Sequence, residues 1–243
     1  MFDKIKEALC LKSEPVAVIW TNEIPEDTFT YKKGAKFGCM VPLVKKAAFE
    51  SRPTAVGKDC YGCPGCGYHL GFINELGPQF RYFLSCGIPG EMEGEGFKKT
   101  PELADAMMQN DDYRHLPAPK DYCLFKPVSR LKPEDRPESV FFLVNPDQLS
   151  ALIVLANYDI PGNDGATTLF GSGCDSLVFY PRHETMGKKR GIIGLTDITV
   201  RKYLAPYILS FAIPYDRGLE MESNVPGSFL GRKAWHEVKK RIE

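Results

Sequence analysis

Cys60, Cys63 and Cys66, in the run Cys-Tyr-Gly-Cys-Pro-Gly-Cys, place three thiols with two residues between neighbours, the densest reactive chemistry in the sequence. Thiolates are soft ligands that hold iron and zinc, and three of them on one short segment can face one centre. Pro64 and the glycines at 62, 65 and 67 favour turns over a helix, so the spacing predicts a tight glycine- and cysteine-rich metal-binding loop.

The same spacing opens the cysteine run of ferredoxins, whose fourth cysteine follows after three more residues. Leu70 stands at that place here. Cys39 in Phe-Gly-Cys-Met, Cys86 in Leu-Ser-Cys-Gly, and His69 are therefore the candidates for a fourth ligand. The expected cofactor is an iron–sulfur cluster, of the 4Fe–4S kind, with an electron-transfer or other redox role. With no fourth protein ligand, one iron would be open to substrate and act as a Lewis acid. Two rival chemistries use the same residues. Zinc held by these cysteines would staple a binding domain. Thiols without metal would exchange disulfides or sense peroxide, with Cys63 or Cys66 attacking and another cysteine resolving.

Cys174, in Gly-Ser-Gly-Cys-Asp-Ser, falls at the expected start of a helix, where N–H groups favour a thiolate, and is the candidate catalytic nucleophile or further ligand. Cys10 and Cys123 read as small core residues. His115, His183 and His236 are scattered, and Glu91-Met-Glu-Gly-Glu reads as a solvated turn. Walker loops, nucleophile elbows and dinucleotide fingerprints are absent from the sequence, which lowers nucleotide-hydrolase, serine-hydrolase and NAD-binding readings.

The elements that must position these residues alternate. Helices are predicted over 2–12, 41–50, 100–110, 146–157, 174–181, 200–204 and 232–242, and strands over 15–20, 122–127, 139–144, 190–195 and 207–213. Between Ser51 and Gly96 periodicity fades and glycine becomes frequent, as where a backbone wraps a ligand. The pattern predicts an α/β or α+β fold, a mixed sheet with flanking helices. It reads as one domain over 1–243, with a soft boundary near 127–137 and a cysteine-rich subregion over 38–96. No internal repeat is visible.

The chain has 243 residues, 43% of them hydrophobic, enough to fold on a core of its own. Basic and acidic residues number 31 each, so no global field draws it to nucleic acid or to an anionic membrane. The amphipathic first residues lack a secretory signal's apolar stretch, and no apolar run is of spanning length. A cytoplasmic location follows as the expectation, without nucleic-acid or membrane partners. Eight cysteines in such a chain point to ligation rather than to a disulfide framework.

Five segments, Glu14-Pro-Val-Ala-Val, Phe37-Gly-Cys-Met, Cys60 to Phe72, Tyr82-Phe-Leu-Ser-Cys-Gly and Lys99-Thr-Pro-Glu-Leu-Ala, resemble the prokaryotic family called domain of unknown function 169. The resemblance spans most of the chain and is tighter in the first half; Gly171-Ser-Gly-Cys-Asp-Ser is its main element in the second. It implies a protein at home in anaerobic bacteria and archaea, which suits an oxygen-sensitive cofactor. It also implies that Cys39, Cys60, Cys63, Cys66 and Cys86 share one cysteine-bearing region, with Cys174 as the outlying member. It assigns no activity; an oxidoreductase, or an accessory protein serving one through a redox protein partner, is the expectation.

Overall fold

The computed structural model describes residues 1–35, 38–110 and 114–242. Phe37 of the Phe-Gly-Cys-Met segment lies outside them. The fold is mixed α/β, an eight-stranded sheet with helices on both faces.

In chain order, α1 (Asp3–Ala8) leads into β1 (Val16–Thr21), β2 (Phe29–Thr30), α2 (Met40–Glu50) and β3 (Thr54–Gly57). A long excursion carrying α3 (Pro64–His69), α4 (Phe80–Phe83) and α5 (Pro101–Met108) returns through β4 (Tyr122–Pro127). The second half runs β5 (Ser139–Val144), α6 (Pro146–Ala156), β6 (Ala166–Thr168), a π-helix (Asp175–Phe179) continuing as α7 (Tyr180–Met186), β7 (Gly191–Gly194), α8 (Ile198–Arg201) and β8 (Leu209–Pro214). α9 (Tyr215–Asn224) and α10 (Lys233–Lys239) close the described chain.

The strand order is β2-β3-β4-β1-β5-β8-β7-β6. In the first half β1 pairs antiparallel with β4, β4 antiparallel with β3, and β3 parallel with β2. The second half repeats this with β5, β8, β7 and β6. In both halves a crossover helix joins the parallel pair, α2 in one and the π-helix with α7 in the other. The halves meet where β1 pairs antiparallel with β5, Val16 opposite Phe141. This relates them by an approximate twofold axis normal to the sheet. The sequence shows no repeat because two-layer packing constrains side-chain class and period, which many unrelated sequences satisfy.

Central strands are apolar on both faces, as a sheet covered twice requires. Along β5, Val140, Phe142 and Val144 pack with α1, α6 and α9 through Phe2, Leu152 and Met221. Phe141 and Leu143 face the other way, onto Met40, Val44, Leu177 and Val178 of α2 and the π-helix. The period-two alternation thus separates two cores, and the cysteines lie with the second. Residues 127–137 link β4 to β5 within one sheet, held by Lys126, whose Nζ lies 2.7 Å from Asp135.

Predicted strands over 122–127 and 139–144 coincide with β4 and β5. β2, β3 and β6 were beyond the pattern because strands of two to four residues complete too few periods. The first helix stops at Ala8, because Cys10 takes a φ of +50° and turns the chain. No described helix is long and apolar enough to cross a membrane.

Candidate functional site

The expected turn through the cysteine triplet is in fact a helix: Pro64 occupies the first turn of α3, where it has no N–H to lose, and Cys63 is its N-cap. The Cys63 Sγ accepts a hydrogen bond from Cys66 N at 3.4 Å. This winding separates the three thiols. Cys66 turns into the core, 1% exposed, and Cys63 faces the neighbouring cavity. Cys60 turns toward β2, where its Sγ lies 3.2 Å from Thr30 Oγ1.

Cys39 reaches the same place from α2, as its N-cap, and Cys174 from the π-helix, also as its N-cap. Cys39, Cys63, Cys66 and Cys174 line one cavity, and every pair among them is close enough for their charges to interact. Of these pairs, Cys66 and Cys174 influence each other most strongly. Cys86 lies elsewhere, exposed on the hairpin around Pro89. The structure therefore brings together Cys39, two members of the triplet and Cys174, and leaves Cys60 and Cys86 outside the group.

Two Gly-Cys arms cross to allow this. Gly62 has a φ of +84°, and a Cβ there would stand 2.8 Å from the carbonyl oxygen of Gly38. A Cβ on Gly38 would stand 2.7 Å from the ring of Tyr31, whose hydroxyl donates to the Cys39 carbonyl at 2.6 Å. Cys174 is held by a reciprocal pair just before the π-helix. Ser172 N donates to Asp175 Oδ2 at 2.6 Å, and Asp175 N donates to Ser172 Oγ at 3.3 Å. Leu195 N donates to Ser176 Oγ at 3.2 Å and ties the π-helix to the end of β7.

The thiols are held neutral. Burial, then the nearby Cys174, pushes Cys39 up to about 12. Burial and Cys174 also raise Cys63. In the contact pair, the hydrogen bond from Cys174 favours the Cys66 thiolate, but burial and the surrounding thiols outweigh it and Cys66 is raised. Cys174, the donor of that bond, is raised well above the ordinary value by it and by burial. N–H groups oppose these effects, those of Gly65 and Cys66 toward Cys63 and that of Val41 toward Cys39. Each sulfur has hydrogen-bond donors or other sulfurs beside it.

His69, the other candidate fourth ligand, has its Nδ1 2.5 Å from Oδ1 of Asp175. That contact is at ion-pair distance but outside hydrogen-bond alignment. Asp175 was not singled out by the sequence, though its place directly after Cys174 marked it. The opposite wall is the segment after β7, pinned by Arg201, which donates to the carbonyls of Leu195 at 3.1 Å and Pro206 at 2.6 Å. It presents Asp197, Thr199 and Tyr203 to the cavity.

Among the described residues, no group of three or more His, Cys, Asp or Glu side chains is gathered tightly enough to hold a single metal ion. The expected metal-binding loop is thus a loop and helix whose cysteines point to different neighbours, without a preformed single-ion cage.

Fold and site together define an α/β protein of two topologically matched halves, with four cysteines gathered at one cavity beside the sheet. The chain belongs to the family of domain of unknown function 169, described as uncharacterised ArCR, which it matches over residues 4–224. No curated protein and no solved structure matches it.

Proposed function

We propose that Cys39, Cys63, Cys66 and Cys174 bind an iron–sulfur cluster of the 4Fe–4S kind and that the protein serves a redox reaction in the cytoplasm, with a redox protein partner exchanging its electrons. The observation that carries this reading is that four buried or half-buried thiols from three separate segments interact pairwise at one cavity. Such an arrangement is costly for thiolates by themselves and is relieved by a positively charged centre.

When bound, the cluster would accept and release single electrons. The chain's residues do the rest. Cys63 and Cys66 ligate from one turn of α3, and Cys39 and Cys174 from the two crossover helices. The N–H groups of Val41, Gly65 and Cys66 soften the negative charge on sulfur. Tyr31 fixes the backbone of Cys39, and Asp175 with Ser172 fixes that of Cys174. The thiol contact between Cys66 and Cys174 favours one second reading, a dithiol that closes to a disulfide without metal.

Protein purified without oxygen, assayed for iron, acid-labile sulfide and visible absorption, tests both. Iron and sulfide in comparable amounts are expected, lost in alanine variants of Cys39, Cys63, Cys66 or Cys174 and retained in Cys60→Ala and Cys86→Ala. Colourless protein without iron or sulfide, carrying a Cys66–Cys174 disulfide after mild oxidation, would replace the cluster with the dithiol. Colourless protein with bound zinc would make the site structural.

A further inference from the structure

The cavity beside the cysteines extends well beyond them, to about 950 Å³. That is the upper end of the range in which proteins hold small organic molecules. Its floor is the cysteine group with Gly65, and its roof is the part of the excursion that follows α3, with α4 and α5.

This roof has almost no core of its own. Among its described residues α4 buries no side chain and α5 buries only Ala104. Phe80, Phe83, Met92, Phe97, Met107 and Met108 instead stand half-buried along the cavity wall. Phe170 and Phe179 face them from the second half. Apolar side chains so placed lose contact with water fully only when something apolar fills the space between them. Aromatic walls favour a flat ring, and methionines adapt to its outline.

One polar pair interrupts this lining. His69 has its Nδ1 turned to the buried Asp175, and among the described residues its Nε2 has no hydrogen-bond partner. With the carboxylate beside one ring nitrogen, the other nitrogen is left to meet a ligand. Above Gly65 the space is empty, with no atom within 4 Å of where a Cβ would stand.

We propose that this cavity binds a bulky, mostly apolar, ring-bearing small molecule, stacked beneath the roof and hydrogen-bonded to Nε2 of His69. That this molecule is the compound on which the cysteine centre acts rests on the redox reading above; its binding does not.

The test is a fluorescence titration of the full chain with 1-anilinonaphthalene-8-sulfonate, an aromatic probe small enough for the cavity. One saturable site is expected. Phe97→Ala, which removes a half-buried aromatic wall of the roof outside the cysteine group, weakens the probe severalfold or more. Its melting temperature, iron and sulfide stay as in the parent protein. Phe83→Trp gives a second measurement in the roof itself: binding beneath the roof raises energy transfer from the new indole to the probe. Absence of saturable binding overturns the proposal. So does unchanged affinity in Phe97→Ala together with no added transfer in Phe83→Trp. If Phe97→Ala does not fold, the transfer in Phe83→Trp decides. Protein that proves free of iron yet binds the probe in this way would sink the cluster and leave the cavity's role intact.

Discussion

At Gly62 both backbone conformation and a close contact require a hydrogen where other residues carry a Cβ. Its φ of +84° is poorly tolerated by other residues, and the Gly38 carbonyl leaves no room for a Cβ. Gly62→Ala should therefore cost about 1–3 kcal/mol in urea unfolding and, by pushing the Cys39 arm away from Cys63, lower iron content as well. The thiols make a second prediction at this scale. In folded protein prepared free of metal, iodoacetamide near neutral pH should modify the exposed Cys86 well before Cys39, Cys66 or Cys174, because burial and mutual repulsion keep these protonated. Peptide mass mapping over time checks the order, and rapid alkylation of Cys174 would instead mark it as a nucleophile.

Among the elements, the π-helix over Asp175–Phe179 matters most for the site. Its wide turn holds one residue more than an α-helical path would, and it fixes how Asp175 and the Cys174 before it face Cys66 and His69. Deleting Val178 should let the segment relax toward α-helix and rotate its start away from the cysteines. Lost iron with a retained far-ultraviolet circular dichroism spectrum is the expected outcome; retained iron would mean that the wide turn is incidental. α6 offers a contrasting case in which local chemistry suffices. Asn145 and Gln148 form a reciprocal cap, each bond 2.9 Å, so Asn145→Ala should cost about 1 kcal/mol without touching the site.

For the whole molecule, α9 is fastened to the end of α6 by Arg217, which is nearly buried and donates to Asp159 and to the Ala156 carbonyl. The guanidinium holds the Asp159 carboxyl down at about 2, and the carboxylate in turn raises Arg217. A depressed carboxylate stabilises the fold above its unfolded value of about 4, and that stability is lost as pH falls from about 4 to about 2. Asp159→Asn should thus cost about 1–2 kcal/mol near neutral pH, allowing for screening of a partly exposed group, and only a small part of that at about pH 2. Urea titrations at several pH values measure this, and a pH-independent loss would point to packing instead.

The sequence by itself determined the central strands and the capped helices, because period-two apolar runs such as Ser139–Val144 and caps such as Thr100 and Asn145 act between near neighbours. It also marked every cysteine of the site, since Gly-Cys and Cys-x-x-Cys spacings are local features. Which cysteines assemble was decided only in three dimensions. Cys60 and Cys63 are close in sequence, yet the start of α3 sends one toward Thr30 and the other to Cys174, more than a hundred residues along the chain. The joining of Cys39 with Cys174, the pairing of His69 with Asp175 and the roofed cavity follow from a twofold-related sheet topology. Topology arises from contacts between residues far apart in sequence, and no local pattern encodes it.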